Sequence, residues 1–484
     1  MVYQDALDIV VLGASFAGLS VAHNLLKNVI PSLQTFDGAP KYRVVLVTPS
    51  SHLYWNMAAP RALVSAELVP LDTMFSPVIK GFSNYSPEEF AFVQGTAGLI
   101  DTAQRKVSIT LTTRPNVVDT DQRGSTVSTP TEKPTARTKG SVFKTLTYHA
   151  LIFATGSSAD SPLLSLHGPH EKTLAALKDF HKRLRNANSI VVVGGGASGV
   201  ETAGQLAVYF NSTPPKPILA RLGLRRPADP LACDPPRRPK TITLVSGHGR
   251  LLPDLAPKLG RKAEAKLRRN HVHVLHNIRL IAATETTATT DGARRPAGQT
   301  ACHLNNDTTI TTDVFVACTG VKPNTSFLPS ALVDAAGYVR THPSTLRVVE
   351  RAAGSSSTGP PRVYAIGDCA AYSKNRTGDV YDAVPVLAHN LRNDLLAHEL
   401  RLQYPPAGEG TGLRDRLEEL VDRHFSPDPT DTLLMPCTKR GGVGVLFDFG
   451  IPSALVHLLK GRDYRIGKAK GVVERGINPY GMGE

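Results

Sequence analysis

The stretch Leu7-Asp8-Ile9-Val10-Val11-Leu12-Gly13-Ala14-Ser15-Phe16-Ala17-Gly18 decides how the rest of the chain is read. Its β-branched, apolar first half predicts a buried strand, and Gly13 and Gly18 around Ser15 predict a tight turn into a helix running to about Asn28. In such a turn the glycines let a pyrophosphate approach the backbone and rest on the positive end of the helix dipole. The pattern recurs at Gly194-Gly195-Gly196-Ala197-Ser198-Gly199, entered from Ile190 to Val193 and followed by a helix to about Phe210. One glycine-rich turn also serves plain helix packing. Two in the same strand–turn–helix context predict two dinucleotide sites on one polypeptide.

The economical pairing is a flavoprotein with FAD in one site and a nicotinamide dinucleotide in the other. At 484 residues the chain exceeds what a single core supports, so two or three domains are expected. Its five cysteines, Cys233, Cys302, Cys318, Cys369 and Cys437, form no CxxC pair. That suits a reducing compartment and removes both a zinc cluster and a disulfide-reductase mechanism, which needs two closely spaced redox thiols. No apolar run reaches the ~18 residues of a membrane span. The first strand begins too near Met1 for a cleavable leader, and Val2 excludes myristoylation. The expected location is the cytosol, with a peripheral membrane contact left open. The net charge of +14 is concentrated in part in residues 213–240, where seven Lys or Arg and two acids stand among eight prolines. Basic residues interleaved with proline and not with stackable aromatics disfavour a nucleic-acid surface.

The strand at 43–48 completes a first strand–helix–strand unit, so a doubly wound α/β sheet is expected. Leu151 to Gly156 and Val314 to Gly320 are paired apolar strands ending in Ala/Cys-Thr-Gly, placed where the chain crosses between nucleotide-binding domains. The expected organisation is a first FAD-binding part (1–165), an inserted NAD(P)H-binding domain (166–300), a second FAD-binding part (301–385) and a C-terminal α+β domain (386–484). Residues 113–140, 213–240 and 284–300 read as surface loops or insertions from their Thr, Pro, Gly and Arg content. Helices are expected at Asn390 to Leu402 and Gly412 to Phe425, and a strand at Thr432 to Leu434.

The opening fingerprint, the Ala154-Thr155-Gly156 turn, the run from Gly194 to Gly204, and Val363-Tyr364-Ala365-Ile366-Gly367-Asp368-Cys369 together resemble the two-dinucleotide FAD-dependent pyridine nucleotide oxidoreductases. Within them the chain is most similar to the apoptosis-inducing-factor-like branch that includes ferroptosis suppressor protein. His52-Leu53-Tyr54-Trp55-Asn56-Met57-Ala58-Ala59-Pro60-Arg61 and the tail from Gly441 to Tyr464 resemble fungal members of that branch. The resemblance implies that Gly13, Ser15, Phe16, Ala17 and Gly18 cradle FAD, with Ala154, Thr155, Gly156, Gly320 and Gly367 at the crossing turns. It also implies that Asp368 accepts a hydrogen bond from the ribityl chain, a role that helix capping would share. Gly194, Gly196, Ser198 and Gly199 would cradle the nicotinamide dinucleotide, and Glu201 would lie toward its nicotinamide end or simply favour the helix start.

Three positions depart from the pattern. Thr48 stands where an acid usually takes the adenosine ribose of FAD, and Ser15 replaces the middle glycine, offering a hydroxyl to phosphate. The segment Thr241 to Arg250 likewise holds no acid for a ribose 2′-hydroxyl, which tolerates a 2′-phosphate. Arg250 is either the fork that holds it or a solvated loop residue, and NADPH is favoured over NADH. Arg61 is expected either near the electron-rich flavin ring or packed over an aromatic plug around Trp55.

The expected activity moves a hydride from nicotinamide to flavin and then electrons to a small acceptor, a quinone foremost. No catalytic side chain and no metal site is assigned. The alternatives are a flavin-dependent oxidase or tailoring oxidoreductase of fungal secondary metabolism, a reductase for an iron–sulfur protein, and a non-enzymatic, DNA-binding role. Ala454 to Leu459, followed by Lys460, Arg462, Arg465, Lys468 and Lys470, reads either as a docking step on an anionic membrane or as a helix closing the C-terminal domain.

Overall fold

A computed structural model describes residues 6–36, 38–112, 142–211, 238–285, 298–350, 359–403 and 411–481. The strand Leu7–Leu12 lies between Ala150–Phe153 and Tyr42–Thr48 and parallel to both, with Val11 opposite Ile152 and Leu46. Ile9, Val10, Val11 and Leu12 are buried, as a central parallel strand covered on both faces requires. The full sheet runs Val363–Ala365, Ala150–Phe153, Leu7–Leu12, Tyr42–Thr48, Phe90–Asp101, Lys106–Leu111, Phe143–Thr147. The first five are parallel and the last two antiparallel. The loop expected at 113–140 falls in sequence between those last two strands and lies outside the described residues.

The first helix, Phe16–Asn24, continues through a widened turn at Leu25–Val29 into Ile30–Gln34, past its expected end near Asn28. Its apolar stripe does not stop, since Leu25, Leu26, Val29, Ile30 and Leu33 are all buried. The widened turn accommodates Pro31, which has no N–H to donate into the helical ladder.

The second sheet is four parallel strands in the order Val272–Leu275, Thr241–Val245, Ser189–Val193, Val314–Ala317. Beside it lies an antiparallel sheet of Leu280–Glu285, Thr300–Leu304 and Thr309–Thr312. Because Val314–Ala317 pairs with Ser189–Val193, the inserted unit extends to Ala317, correcting its expected end at 300. The chain returns through Val321–Pro323, which pairs antiparallel with the outgoing Ser157–Ala159, so both crossings run side by side. Most of the expected insertions at 213–240 and 284–300 lies outside the described residues.

The helix Thr377–Gln403 starts well before its expected beginning at Asn390 and holds Pro385 inside it. Val384, Leu387, Leu391 and Leu395 bury its face against the helix Phe16–Asn24, so residues 386–403 belong with the first sheet and not with the C-terminal domain. That last unit is an antiparallel sheet, Leu433–Thr438, Gly441–Leu446 and Phe449–Gly450, with short helices around it. The expected helix at 412–425 is shorter, Thr411–Glu418. Its continuation is recruited by Asn390, which donates to the Arg423 carbonyl (2.9 Å) and accepts from the Arg423 N–H (2.8 Å).

The C-terminal segment then returns to the first domain. Trp55 donates to the Tyr464 carbonyl at 2.9 Å, and the His23 imidazole meets the Val473 carbonyl at 2.7 Å. Gly476, at φ +69°, packs so closely that a Cβ would stand 2.9 Å from the Ser20 Cα.

Candidate dinucleotide and acceptor cleft

The two glycine turns are built alike. Gly13 (φ +110°) and Gly194 (φ +127°) occupy backbone conformations open to glycine, and a Cβ would strike the carbonyl of Ala154 at 2.1 Å or of Cys318 at 2.0 Å. Gly18 and Gly199 let each helix settle onto its own turn, since a Cβ there would stand 1.8 Å from the Gly13 or Gly194 oxygen. These four glycines shape the turns. The middle positions are different: Ser15 and Gly196 are the N-cap residues, both extended, and neither helix start is capped by a side chain. A Cβ at Gly196 finds nothing within 4 Å.

Both turns open onto one continuous cleft of about 2060 Å³. It is lined by Gly13, Ser15, Phe16, Ala17, Thr48, Ala154, Thr155, Gly156, Gly194, Gly196, Ser198, Glu201, Gly320, Gly367 and Asp368, which are fifteen of the nineteen residues expected from sequence. Gly18 and Gly199 act behind the turns. The cradle fits two dinucleotides: Ser15 leaves its hydroxyl unused by the first helix, and Gly196 leaves open space at the start of the second. Asp368 accepts a 3.1 Å hydrogen bond from the Ser157 hydroxyl. Burial pushes the Asp368 carboxyl above the usual range, the Ser157 hydrogen bond opposes this, and Asp379 adds to it. Asp368 caps no helix, because the next one begins at Thr377, where Asp379 accepts from the Lys374 N–H at 3.0 Å.

The two arginines lie elsewhere. Arg61 donates to the Gln205 side-chain oxygen at 2.9 Å and sits 4.3 Å over the Tyr464 ring, while Trp55 is fully buried. Of the two roles left open for Arg61, packing over an aromatic plug is the one observed. Arg250 donates to the Leu255 carbonyl at 2.9 Å and to that of Pro253, so its fork is spent on its own loop and it does not line the cleft.

Among the cations that do line it, with Arg279, Arg376 and Arg465, is Lys460 from the C-terminal unit. Its ammonium lies 3.0 Å from a Glu201 oxygen and donates to the Leu434 carbonyl at 3.1 Å. Glu201 is 4% exposed. Burial drives its carboxyl upward, and Lys460 is the main opposing influence. A buried carboxylate on the second fingerprint helix thus meets a lysine from the far end of the chain. Sequence reading singled out Glu201 but not this pair, nor the apolar wall beside it formed by Met57, Leu433, Leu434, Leu446, Leu459 and Tyr480. At its rim, Phe447 (61% exposed) stands at a hairpin tip next to Phe449 (77%).

The four described cysteines are buried and unpaired. Burial raises all four thiols, Cys302 to about 11 and Cys318 and Cys437 to about 12. Away from the cleft, the fold assembles His149, His398 and Glu399, with ligand atoms within 4.8 Å of one another, a grouping without sequence spacing. Burial and the charges of Arg362 and Arg105 hold His149 down at about 3 and His398 at about 4. Those guanidiniums oppose a cation.

The model of the pyridine nucleotide-disulphide oxidoreductases matches residues 7–390. Oxidoreductase phnG of Penicillium herquei is 33% identical over 96% of this chain and 95% of its own length. Oxidoreductase ptaL of Pestalotiopsis fici is 30% identical over 69% of this chain and 71% of its own. Ferroptosis suppressor protein 1 of Xenopus tropicalis is 24% identical over 84% and 85%. Among solved structures, the sulfide:quinone oxidoreductase of Aquifex aeolicus has the same fold over 97% of this chain and 92% of its own, with a TM-score of 0.56 at 13% identity. Among the described residues no helix is long and apolar enough to cross a membrane.

Proposed function

The chain belongs to the pyridine nucleotide-disulphide oxidoreductase family, and from that premise we propose that it is an FAD-dependent NAD(P)H oxidoreductase delivering electrons to a small planar acceptor of the quinone class. The carrying observation is that two dinucleotide turns of the same construction open on one cleft. A flavin held in this cleft would supply hydride acceptance from the nicotinamide and electron delivery to the acceptor.

The chain's own groups position and polarise. The Ser15 hydroxyl and the first helix N-terminus receive the FAD pyrophosphate, and Asp368 accepts from a sugar hydroxyl. Gly196 leaves the second helix N-terminus open for the nicotinamide dinucleotide. The Glu201–Lys460 pair places an ammonium, already desolvated, on the cleft wall where electron-rich groups gather. The wall of Met57, Leu446, Leu459 and Tyr480 suits a flat apolar acceptor. None of the four described thiols takes part, because they are buried and protonated at neutral pH.

A second reading, a flavin-dependent tailoring oxidoreductase, draws on the near full-length similarity to the Penicillium oxidoreductase. The test is anaerobic reduction of the purified holoprotein by NADH and NADPH, then reoxidation by a panel of quinones in solution and in anionic liposomes, oxygen and ferredoxin. Rapid flavin bleaching and fastest reoxidation by a quinone are expected, faster still in liposomes if the tail and Phe447 meet a membrane. Failure of both nucleotides to reduce the flavin would remove the proposal, and fastest reoxidation by oxygen or ferredoxin would replace its acceptor.

A further inference from the structure

We infer that Arg279 reads the 2′-phosphate of NADPH, with the backbone of Gly247 and His248 as the floor of that subsite; this rests on the second fingerprint being the nicotinamide dinucleotide site. In such a unit the adenosine ribose lies over the carboxyl end of the second strand. A carboxylate there holds the free 2′-hydroxyl of NADH, and an arginine in its place admits a phosphate. Here that strand, Thr241–Val245, ends at Ser246, whose N–H donates to the Leu275 carbonyl at 2.8 Å. No carboxylate stands in residues 246–250, and Arg250 is committed to its own loop.

The cation at this place arrives from the neighbouring strand. Leaving Val272–Leu275, the chain turns through Asn277 (φ +56°) and lays Arg279 across Gly247. A Cβ on Gly247 would stand 3.1 Å from the Arg279 Cγ and 3.3 Å from its Nε. Any larger residue at 247 would displace the arm. Its root is fixed by a reciprocal pair: the Arg279 N–H donates to the Asn305 side-chain oxygen at 2.9 Å, and the Asn305 N–H to the Arg279 carbonyl at 3.0 Å. The guanidinium lines the cleft and forms no ion pair or hydrogen bond among the described residues. An anchored arm with a free planar fork matches the bidentate geometry of a phosphate better than that of a hydroxyl. The other charged or titratable groups lining this end are His248 and Asp254. Asp254 is the group that would favour NADH were the ribose turned toward it.

The experiment is calorimetric titration of the holoprotein with adenosine 2′,5′-bisphosphate and with 5′-AMP, for the wild type, Arg279→Ala, Arg279→Lys and Asp254→Asn, with flavin content as the check on folding. The wild type is expected to prefer the bisphosphate about tenfold or more. Arg279→Ala should weaken the bisphosphate roughly 10- to 100-fold, the loss of one charge-assisted contact, and leave 5′-AMP unchanged. Arg279→Lys should fall between. An equal loss for both ligands, an unchanged ratio, or a 5′-AMP preference abolished by Asp254→Asn overturns the inference and leaves the dinucleotide site standing. Failure of the wild type to bind either ligand overturns the site and the inference together.

Discussion

Replacing Gly196 by valine separates ligand approach from folding. At this position the backbone is ordinary, φ −79° and ψ −173°, a region that β-branched residues favour. The added Cβ finds nothing within 4 Å, so the cost to stability is that of a surface change, within ~0.5 kcal/mol, or about 1 to 2 °C in Tm. The space it enters is where a pyrophosphate meets the helix N-terminus. Losing one or two charge-assisted hydrogen bonds there costs about 3 kcal/mol, ~150-fold in Kd. Gly199→Ala is the contrasting variant: its Cβ would stand 1.8 Å from the Gly194 oxygen, so turn and helix must part and the fold suffers by several kcal/mol. The assay is anaerobic stopped-flow bleaching of the flavin over a range of NADPH, beside melting curves. Gly196→Val should keep its flavin and its Tm while the apparent Kd for NADPH rises ~150-fold. An unchanged Kd in a flavin-loaded variant would refute phosphate approach at this residue, and a collapsed Tm would refute the open space.

Three further outcomes follow from the buried groups. Lys460→Met should cost about 3 kcal/mol in urea denaturation at neutral pH by removing the main charge opposing the burial of Glu201, and adding Glu201→Gln should restore much of it; equal losses in single and double variants would show the pair to be uncoupled. Burial holds His23 at about 4, against the Val473 carbonyl, which favours its charged form, and with Lys27 adding to the lowering. The unfolded chain therefore takes up this proton first, and stability should fall as pH drops from about 6.5 to about 4 and change no further below that on this account. Melting curves of His23→Gln should show a shallower acid limb, and an identical limb would count against it. Serine at Cys302, Cys318, Cys369 or Cys437, one at a time, should leave quinone reduction per bound flavin near wild type; a large loss in any folded, flavin-loaded variant would place a thiol on the electron path.

What could be read from sequence was local. Gly13 and Gly194 announce themselves because only a backbone at φ above +100° makes the turn, and that demand is met within six residues. Asp368 was legible for the same reason, as part of a contiguous run. Lys460 was not, because 259 residues separate it from Glu201 and no periodicity links the two. Proximity left Arg250 open between two roles, and the structure shows the loop one: an arginine next to a strand end finds the nearest carbonyls first, whereas Arg279 reaches the same strand end from a neighbouring one. The boundary at 386 failed because the helix begins at Thr377 and runs through Pro385, with Val384, Leu387 and Leu391 buried along it.

The clasp of the C-terminal segment on the first domain bears on how the protein comes into being. The contact between His23 and Val473 spans 450 positions, and Lys460 reaches Glu201 from the same late segment. On the ribosome, the first nucleotide unit emerges long before the residues that cover its opening helix and complete the cleft wall. Closure of such long-range contacts is slow, so the nascent chain passes through an interval in which the helix Phe16–Asn24 is bare on the face that the segment around Val473 and Gly476 covers. Final closure is therefore a late event, possible only once the residues around Val473 have been made. A premature stop ahead of Lys460 would strike assembly of the site itself, although every glycine of both fingerprints had already been made.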